Sequence, residues 1–401
     1  MLYGLFIFII LATMVPTFAD NLGKRYKSVD PGFLKQLFFY HYLLWIAYYS
    51  YAQFNRSDSI SYFLKVSVGE GNWFDYYGIS TRFVEFATYP FVNFLSFTYE
   101  AMMILFAFLG YLGFVYLYIF FKETIKFNHS FLGFDLITFL FFLPNTHFWT
   151  VSLGKGSMVF FGIGLFFYGI SKINTRTVAI IFAAIIIYHV RPHILFVLII
   201  AVMIGFGSSA GRFSFFQKAL IVTIAALIFA NIYQDILDFT GLEDETLEES
   251  AALSHRAREL TKATSGVDIE SYSIWMKLFT FWFRPLFVDA PGLLGLIVSI
   301  ENFIYLILIV SLVGWNFLGF LVRSDPLVRT SLVAFLLVSY PLAQISGNLG
   351  LALRQKSMVM MLLFFVLVVY QDRIKLRDYK NFLRMKFRKQ KKEEYLKSQK
   401  S

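Results

Sequence analysis

Apolar residues run through this chain in long blocks, with polar residues gathered between the blocks rather than alternating within them. A helix that crosses a bilayer needs roughly 20 mostly apolar residues. Blocks near that length, some of them short, lie at 2–19, 36–54, 101–121, 131–149, 158–170, 178–189, 194–206, 219–233, 293–320, 330–345 and 357–370. The pattern predicts an all-α polytopic integral membrane protein with about eleven transmembrane helices. One membrane domain covers 1–371, and a basic tail fills 372–401.

The stretch 178–206 decides the topology. Read as one helix, it carries His189, Arg191, Pro192 and His193 at its centre. Read as two short helices, it turns at Arg191-Pro192, where proline removes a backbone donor. The two-helix reading puts segments 20–35, 122–130, 172–177, 207–218, 321–329 and the tail on one side, with two thirds of the 36 Lys and Arg. Basic residues mark the cytoplasmic side, so the N-terminus is expected outside and the C-terminus inside. Residues 1–19 lack the positive start of a secretory signal and read as a retained span. Two large loops then face outward, about 55–100 and 234–292. The first has an aromatic, amphipathic second half suited to a membrane interface. The second opens with the acidic run Glu243, Asp244, Glu245, Glu248, Glu249.

Composition narrows the class. The 401 residues are 58% apolar, 20% aromatic and 15% charged. Soluble domains average roughly 45–50% apolar and about 25% charged, so soluble folds and disorder are both excluded. The net charge of +10 sits at membrane edges and in the tail, which speaks for topology and membrane lipids, not nucleic acid. Cysteine is absent, so thiolate chemistry is excluded.

Ionisable side chains at membrane depth are expensive and are functional candidates by default. Six outward-side clusters carry them. Arg56 and Asp58 follow the second block. Lys155 stands between glycines after 144–154. Arg191 and His193 sit at the proline break. Arg284 and Asp289 end the large loop. Glu301 lies inside a block, where a buried carboxylate wants a cation such as Arg191, Arg284 or Arg354. Asn348, Arg354 and Lys356 stand before the last block. Arginine grips phosphate with a planar fork and stays charged. Arg191, Arg284 and Arg354, with Lys155, Arg56 and Asn348, are the candidates for holding a diphosphate or substrate. His193, Asp58 and Glu301 are the candidate catalytic groups. No zinc-protease motif, serine-hydrolase elbow or paired-carboxylate metal site is present in the sequence, and no metal or cofactor is expected.

Five stretches in this order resemble a known group: Arg56-Ser-Asp-Ser-Ile-Ser-Tyr-Phe, Phe148-Trp-Thr-Val-Ser-Leu-Gly-Lys-Gly, Val190-Arg-Pro-His-Ile, Phe283-Arg-Pro-Leu-Phe-Val-Asp-Ala followed by Ile300-Glu-Asn, and Gly347-Asn-Leu-Gly-Leu-Ala-Leu-Arg-Gln-Lys. The set is similar to the Wzy-type bacterial O-antigen and exopolysaccharide (EpsG-like) repeat-unit polymerases. That resemblance implies a multi-pass protein of the bacterial cytoplasmic (inner) membrane, a glycosyltransferase that joins oligosaccharide repeat units carried on undecaprenyl diphosphate at the outer membrane face. It implies a lipid-linked oligosaccharide as substrate, arginines on the departing diphosphate, and flippase and chain-length regulator proteins as partners. Asp289 departs from the expected carboxylate position near the Arg-Pro pair. A flippase or transporter for the same lipid-linked sugars, another lipid-linked glycosyltransferase or ligase, and a structural membrane subunit are the competing classes.

Overall fold

The computed structural model describes residues 2–55, 57–207, 223, 227, 269, 271–290, 292–345 and 347–398. Most of them are helical. In order the helices are α1 Leu2–Arg25, α2 Pro31–Phe54, α3 Asp58–Ser67, α4 Thr81–Tyr89, α5 Tyr99–Thr124, α6 Leu136–Phe141, α7 Pro144–Thr150, α8 Lys155–Ser171, α9 Thr177–Val190, α10 Pro192–Gly207, α11 Ile274–Phe283, α12 Gly292–Leu312, α13 Phe317–Arg323, α14 Pro326–Ile345, α15 Leu349–Lys356 and α16 Met360–Ser398. A two-residue hairpin, β1 Ser130–Phe131 and β2 Phe134–Asp135, precedes α6.

Among the described residues, four helices are long and apolar enough to cross a membrane: α1, α5, Gly295–Leu312 of α12 and Pro326–Gln344 of α14. A fifth span results if α15 and α16, bent by 54°, count as one broken element. Helices α8, α9, α10 and α11 are apolar but shorter.

Helix α5 is apolar on every side, as a helix at the centre of a bundle should be. It packs tightly on α8 because glycines let the backbones meet. A Cβ on Gly164 would come within 2.4 Å of the Gly113 carbonyl oxygen. Close small-residue contacts of this kind are how helices associate where lipid removes the hydrophobic drive. Exposed apolar side chains on α1 (Leu2, Leu5, Phe6) and α9 (Val178, Ile181, Phe182) suit a lipid-facing perimeter.

The breaks differ from expectation in three places. Residues 131–149 form no single span. Helix α6 ends at Phe141 and α7 begins at Pro144, with Leu143 extended at φ −68°, ψ 125°. Proline fits the first position of a helix and pushes the residue before it out of the helical region. The block 293–320 stops as a helix at Leu312. Gly314 lies where a Cβ would come within 2.9 Å of the Tyr370 hydroxyl, and Gln371 Nε2 donates to the exposed Leu312 carbonyl at 2.6 Å. The tail is no separate segment, because α16 runs unbroken from the apolar block through to Ser398.

The stretch 178–206 divides into two helices, with Arg191 extended between α9 and α10. Of the expected span 219–233 only Thr223 and Leu227 are described, and most of the loop 234–272 lies outside the described residues. Residues 57–100 form a folded cap in which α3 and the amphipathic α4 pack together, with Val84, Glu85 and Thr88 turned inward.

Contacts gather the basic segments at one end of the bundle. Lys172 and Arg176 bind Glu123, Tyr26 meets Tyr168, and Asp372 accepts from the backbone of Lys126 and Phe127. The other ends of α5, α8 and α9 meet the α3–α4 cap, through Ser59 to Tyr99, Lys155 to Ser80 and Ser80 to His189.

Candidate functional site

Four separated segments bring charge to the cap end. Asp58 opens α3, where Ser57 caps the helix. Its Oδ2 accepts from Arg354 of α15 at 2.6 Å, across 296 residues of sequence. Helix α15 is itself capped by Asn348, whose Oδ1 accepts from the Leu351 backbone at 3.1 Å. The expected substrate-binding Asn348 is thus a helix cap that sets the direction of Arg354.

Lys155 is the first residue of α8. Its Nζ donates to Ser80 Oγ at 2.8 Å, and it lies within electrostatic range of Arg191, Arg354, Asp58 and Glu85. The preceding Gly154 has φ +156°, and a Cβ there would come within 3.2 Å of the Tyr62 ring. Only glycine lets α3 close over this turn. Ser80 is also unusual, a non-glycine residue at φ 62°. Its N–H donates to the His189 carbonyl at 2.6 Å, which fastens the cap to the end of α9.

Arg191 lies at the α9–α10 break, within electrostatic range of Arg354 and Tyr62. His193 is exposed, and its charged neighbours are Arg191 and Lys155. Tyr62 is buried in the cap. Burial pushes its phenol upward, Asp58 adds to that, and Arg354, Thr81 and Arg191 pull it part of the way back. It therefore stays a neutral hydroxyl at ordinary pH.

Three cations, Lys155, Arg191 and Arg354, thus lie near one another, and the carboxylate in contact with them is Asp58, already bound to Arg354. The nearby Glu85 is buried and already bound to Lys65 at 2.9 Å. Like charges held together in a partly buried site repel, and an anionic ligand relieves them.

Two expected members lie elsewhere. Arg284 donates from Nε to Asp289 and from Nη1 to Tyr272 at 3.3 Å. Asp289 Oδ1 also accepts from the Leu286 backbone at 2.5 Å. This is a local turn held by an ion pair, in place of the expected convergence of Arg284 with Arg191 and Arg354. Glu301 is only 3% exposed. It accepts from the Asn145 N–H at 2.7 Å and from the Tyr305 hydroxyl. Its cationic neighbour is Lys356, not one of the three arginines expected to serve it. Lys356 is fully buried and donates to Asn302 Oδ1 at 2.6 Å and the Trp282 carbonyl at 2.9 Å. The reason is geometric. Helix α15 turns Lys356 inward toward α11 and α12, while Arg354, two residues earlier, points to the cap.

Arg56 lies outside the described residues. His189 packs away from Arg191, stacked on Phe83 at 4.6 Å and bonded to the Tyr77 hydroxyl at 3.1 Å. Ser80, Tyr62 and Glu85 are residues that sequence reasoning did not single out, and Lys356, which it placed in the last cluster, was given no role. For Glu85 and Lys356 a signal existed, a charge placed among apolar neighbours. Nothing in the sequence marks Ser80. Among the described residues no three His, Asp or Glu side chains converge where they could hold a metal ion.

Comparison with family models, with curated proteins and with solved structures finds no match for the chain.

Proposed function

We propose that the chain is a polysaccharide polymerase of the bacterial cytoplasmic membrane, with about eleven spans and the cap end facing outward. It would join undecaprenyl-diphosphate-linked oligosaccharide repeat units. The observation that supports this reading is the grouping of Lys155, Arg191 and Arg354 around the Asp58 carboxylate at the cap end. A lipid-linked diphosphate carries the charge that such a site lacks, and arginine forks match its oxygens. The ordered resemblance of the five motifs supports it further.

In this mechanism the bond between the anomeric carbon of the growing chain and its diphosphate oxygen breaks. Arg191 and Arg354, assisted by Lys155, stabilise the charge left on the departing lipid diphosphate. A hydroxyl of the incoming unit forms the new glycosidic bond, and its proton passes to Asp58 or His193. Tyr62, as a neutral hydroxyl, can hydrogen-bond the sugar. Glu301 and Arg284, candidates from the sequence, serve in this version to hold α12 and the loop before it.

The test is the size profile of surface polysaccharide in cells lacking the chain, with and without Arg191→Ala supplied back. Glycan truncated to one repeat unit, and not restored by a normally inserted Arg191→Ala protein, supports the proposal. Complete loss of surface glycan points instead to a flippase. An unchanged profile removes the sugar reading.

A further inference from the structure

At the end of the bundle opposite the cap, a surface cavity of about 560 Å³ opens between the end of α1, the end of α5 and the α8–α9 turn. Its volume falls within the range of small-molecule sites, roughly 300–1,000 Å³. Five cationic side chains line it, Arg25, Lys27, Lys122, Lys172 and Arg176, against one carboxylate, Glu123.

The carboxylate is fully committed. Arg176 is 8% exposed and grips Glu123 with both terminal nitrogens, at 2.8 and 2.7 Å. Lys172 Nζ takes the same carboxylate at 2.6 Å. The Arg176 guanidinium also lies 3.8 Å over the Tyr168 ring, and Tyr168 is bonded to Tyr26 at 2.6 Å. One wall is therefore rigid and preorganised. Arg25, Lys27 and Lys122 have no anionic partner among the described residues. The cavity is a basic cradle whose own acid is spent, and among the described residues nothing else balances its charge.

We infer that this cavity binds a phosphate group, either the headgroup of an anionic phospholipid or a soluble phosphate compound. Arginine offers a fork to phosphate oxygens and lysine a mobile point charge. The position suits a headgroup, because the cavity lies at the end of two helices, α1 and α5, that are long enough to span a bilayer. Helix α8 joins it to the cap site. Seventeen residues at about 1.5 Å each separate Lys155 from the Lys172 end by roughly 25 Å, so the two sites lie at opposite ends of the bundle. The inference does not depend on the polymerase reading.

The experiment uses the purified full chain in detergent, with retained lipid read by native mass spectrometry. Phosphatidylglycerol and phosphatidylcholine are offered in turn to the parent protein, to Lys27→Gln/Lys122→Gln, and to a tail control, Lys386→Gln/Lys389→Gln. Size-exclusion profiles and melting temperatures establish that the variants are folded. Each lysine near an anionic lipid adds about a factor of five, so the pocket variant should lose roughly twenty-five-fold in phosphatidylglycerol retention. The tail control should retain it.

Inorganic pyrophosphate, added in the melting experiment, distinguishes the sources. Protection of the parent but not of the pocket variant, with the two lipids bound alike, keeps the site and assigns it to a soluble phosphate. If the pocket variant keeps both phosphatidylglycerol retention and pyrophosphate protection, or if only the tail control loses them, the inference is overturned.

Discussion

The two charge clusters beside α15 contain similar residues in different states. Around Lys356, each charge has a protein partner: Asn302 and two carbonyls for the ammonium, the Asn145 N–H and Tyr305 for Glu301. Around Arg354, two residues away, three cations gather about the Asp58 carboxylate. A satisfied buried pair holds a fold in register. An unsatisfied surplus stores repulsion that only a ligand removes. The comparison teaches that a charge among apolar helices is not by itself a functional signal. The balance of partners is what separates a tie from a site.

The largest effect is expected where the satisfied cluster is broken. Lys356→Met should leave Asn302, two carbonyls and Glu301 without their cation, at a cost of about 3–5 kcal/mol. Thermal unfolding in detergent measures it, and Lys356→Met/Glu301→Leu should recover part of the loss, since the two sites are coupled. A Lys356→Met protein with unchanged melting but no polymer output would erase the distinction between the clusters.

Arg191→Ala should do the reverse. It removes a cation from a repelling group, so melting should hold steady or rise. Transfer should fall by on the order of 100- to 1,000-fold, the usual consequence of losing a preorganised charge-stabilising donor. Rates with a lipid-diphosphate-linked donor, measured beside the melting temperature, decide it. A parallel fall in stability and rate would make Arg191 another structural tie.

How far the sequence reaches follows the same division. Breaks set by proline were legible at Arg191-Pro192, and Pro144 could have been read the same way inside 131–149. The end of α12 was not legible, because it depends on Tyr370 and Gln371 arriving from another helix. Asp58, Lys155, Arg191, His193 and Arg354 were legible as a group because each stands out against apolar surroundings. Their partners were not. Which cation serves Glu301 depends on a rotation of two residues along α15. Arg284 looks like its fellow arginines until the turn that brings Asp289 back to it is seen.

A smaller effect belongs to the buried imidazole pair of α2 and α7. His41 and His147 meet Nδ1 to Nδ1 at 2.8 Å, while their Nε2 atoms face the carbonyls of Ala107 and Phe141. Two neutral imidazoles carry two ring protons, one fewer than both carbonyls and the bridge could take. His147→Leu should leave a buried acceptor unmet and cost about 1–3 kcal/mol. Once stability is corrected for, transfer should be unchanged, which an assay at a temperature well below both melting points checks.

The smallest expected change in stability is also the sharpest probe of the cap. Ser80 holds a backbone conformation, φ 62° and ψ −120°, that strains any side chain, and its hydroxyl accepts from Lys155. Ser80→Gly loses a hydrogen bond to a charged group, worth about 1.5–3 kcal/mol, and relieves strain of about 1–3 kcal/mol. The two nearly cancel, so melting should barely move. Ser80→Ala loses the same bond and keeps the strain, so it should melt lower than the glycine variant. Transfer should respond differently. Both variants release Lys155 alike, so both should lose activity by a similar factor if Lys155 must be held toward Arg191 and Arg354. Activity that instead tracks melting across the pair would mean that Ser80 matters only as a fastening for α9, and Lys155 would leave the site.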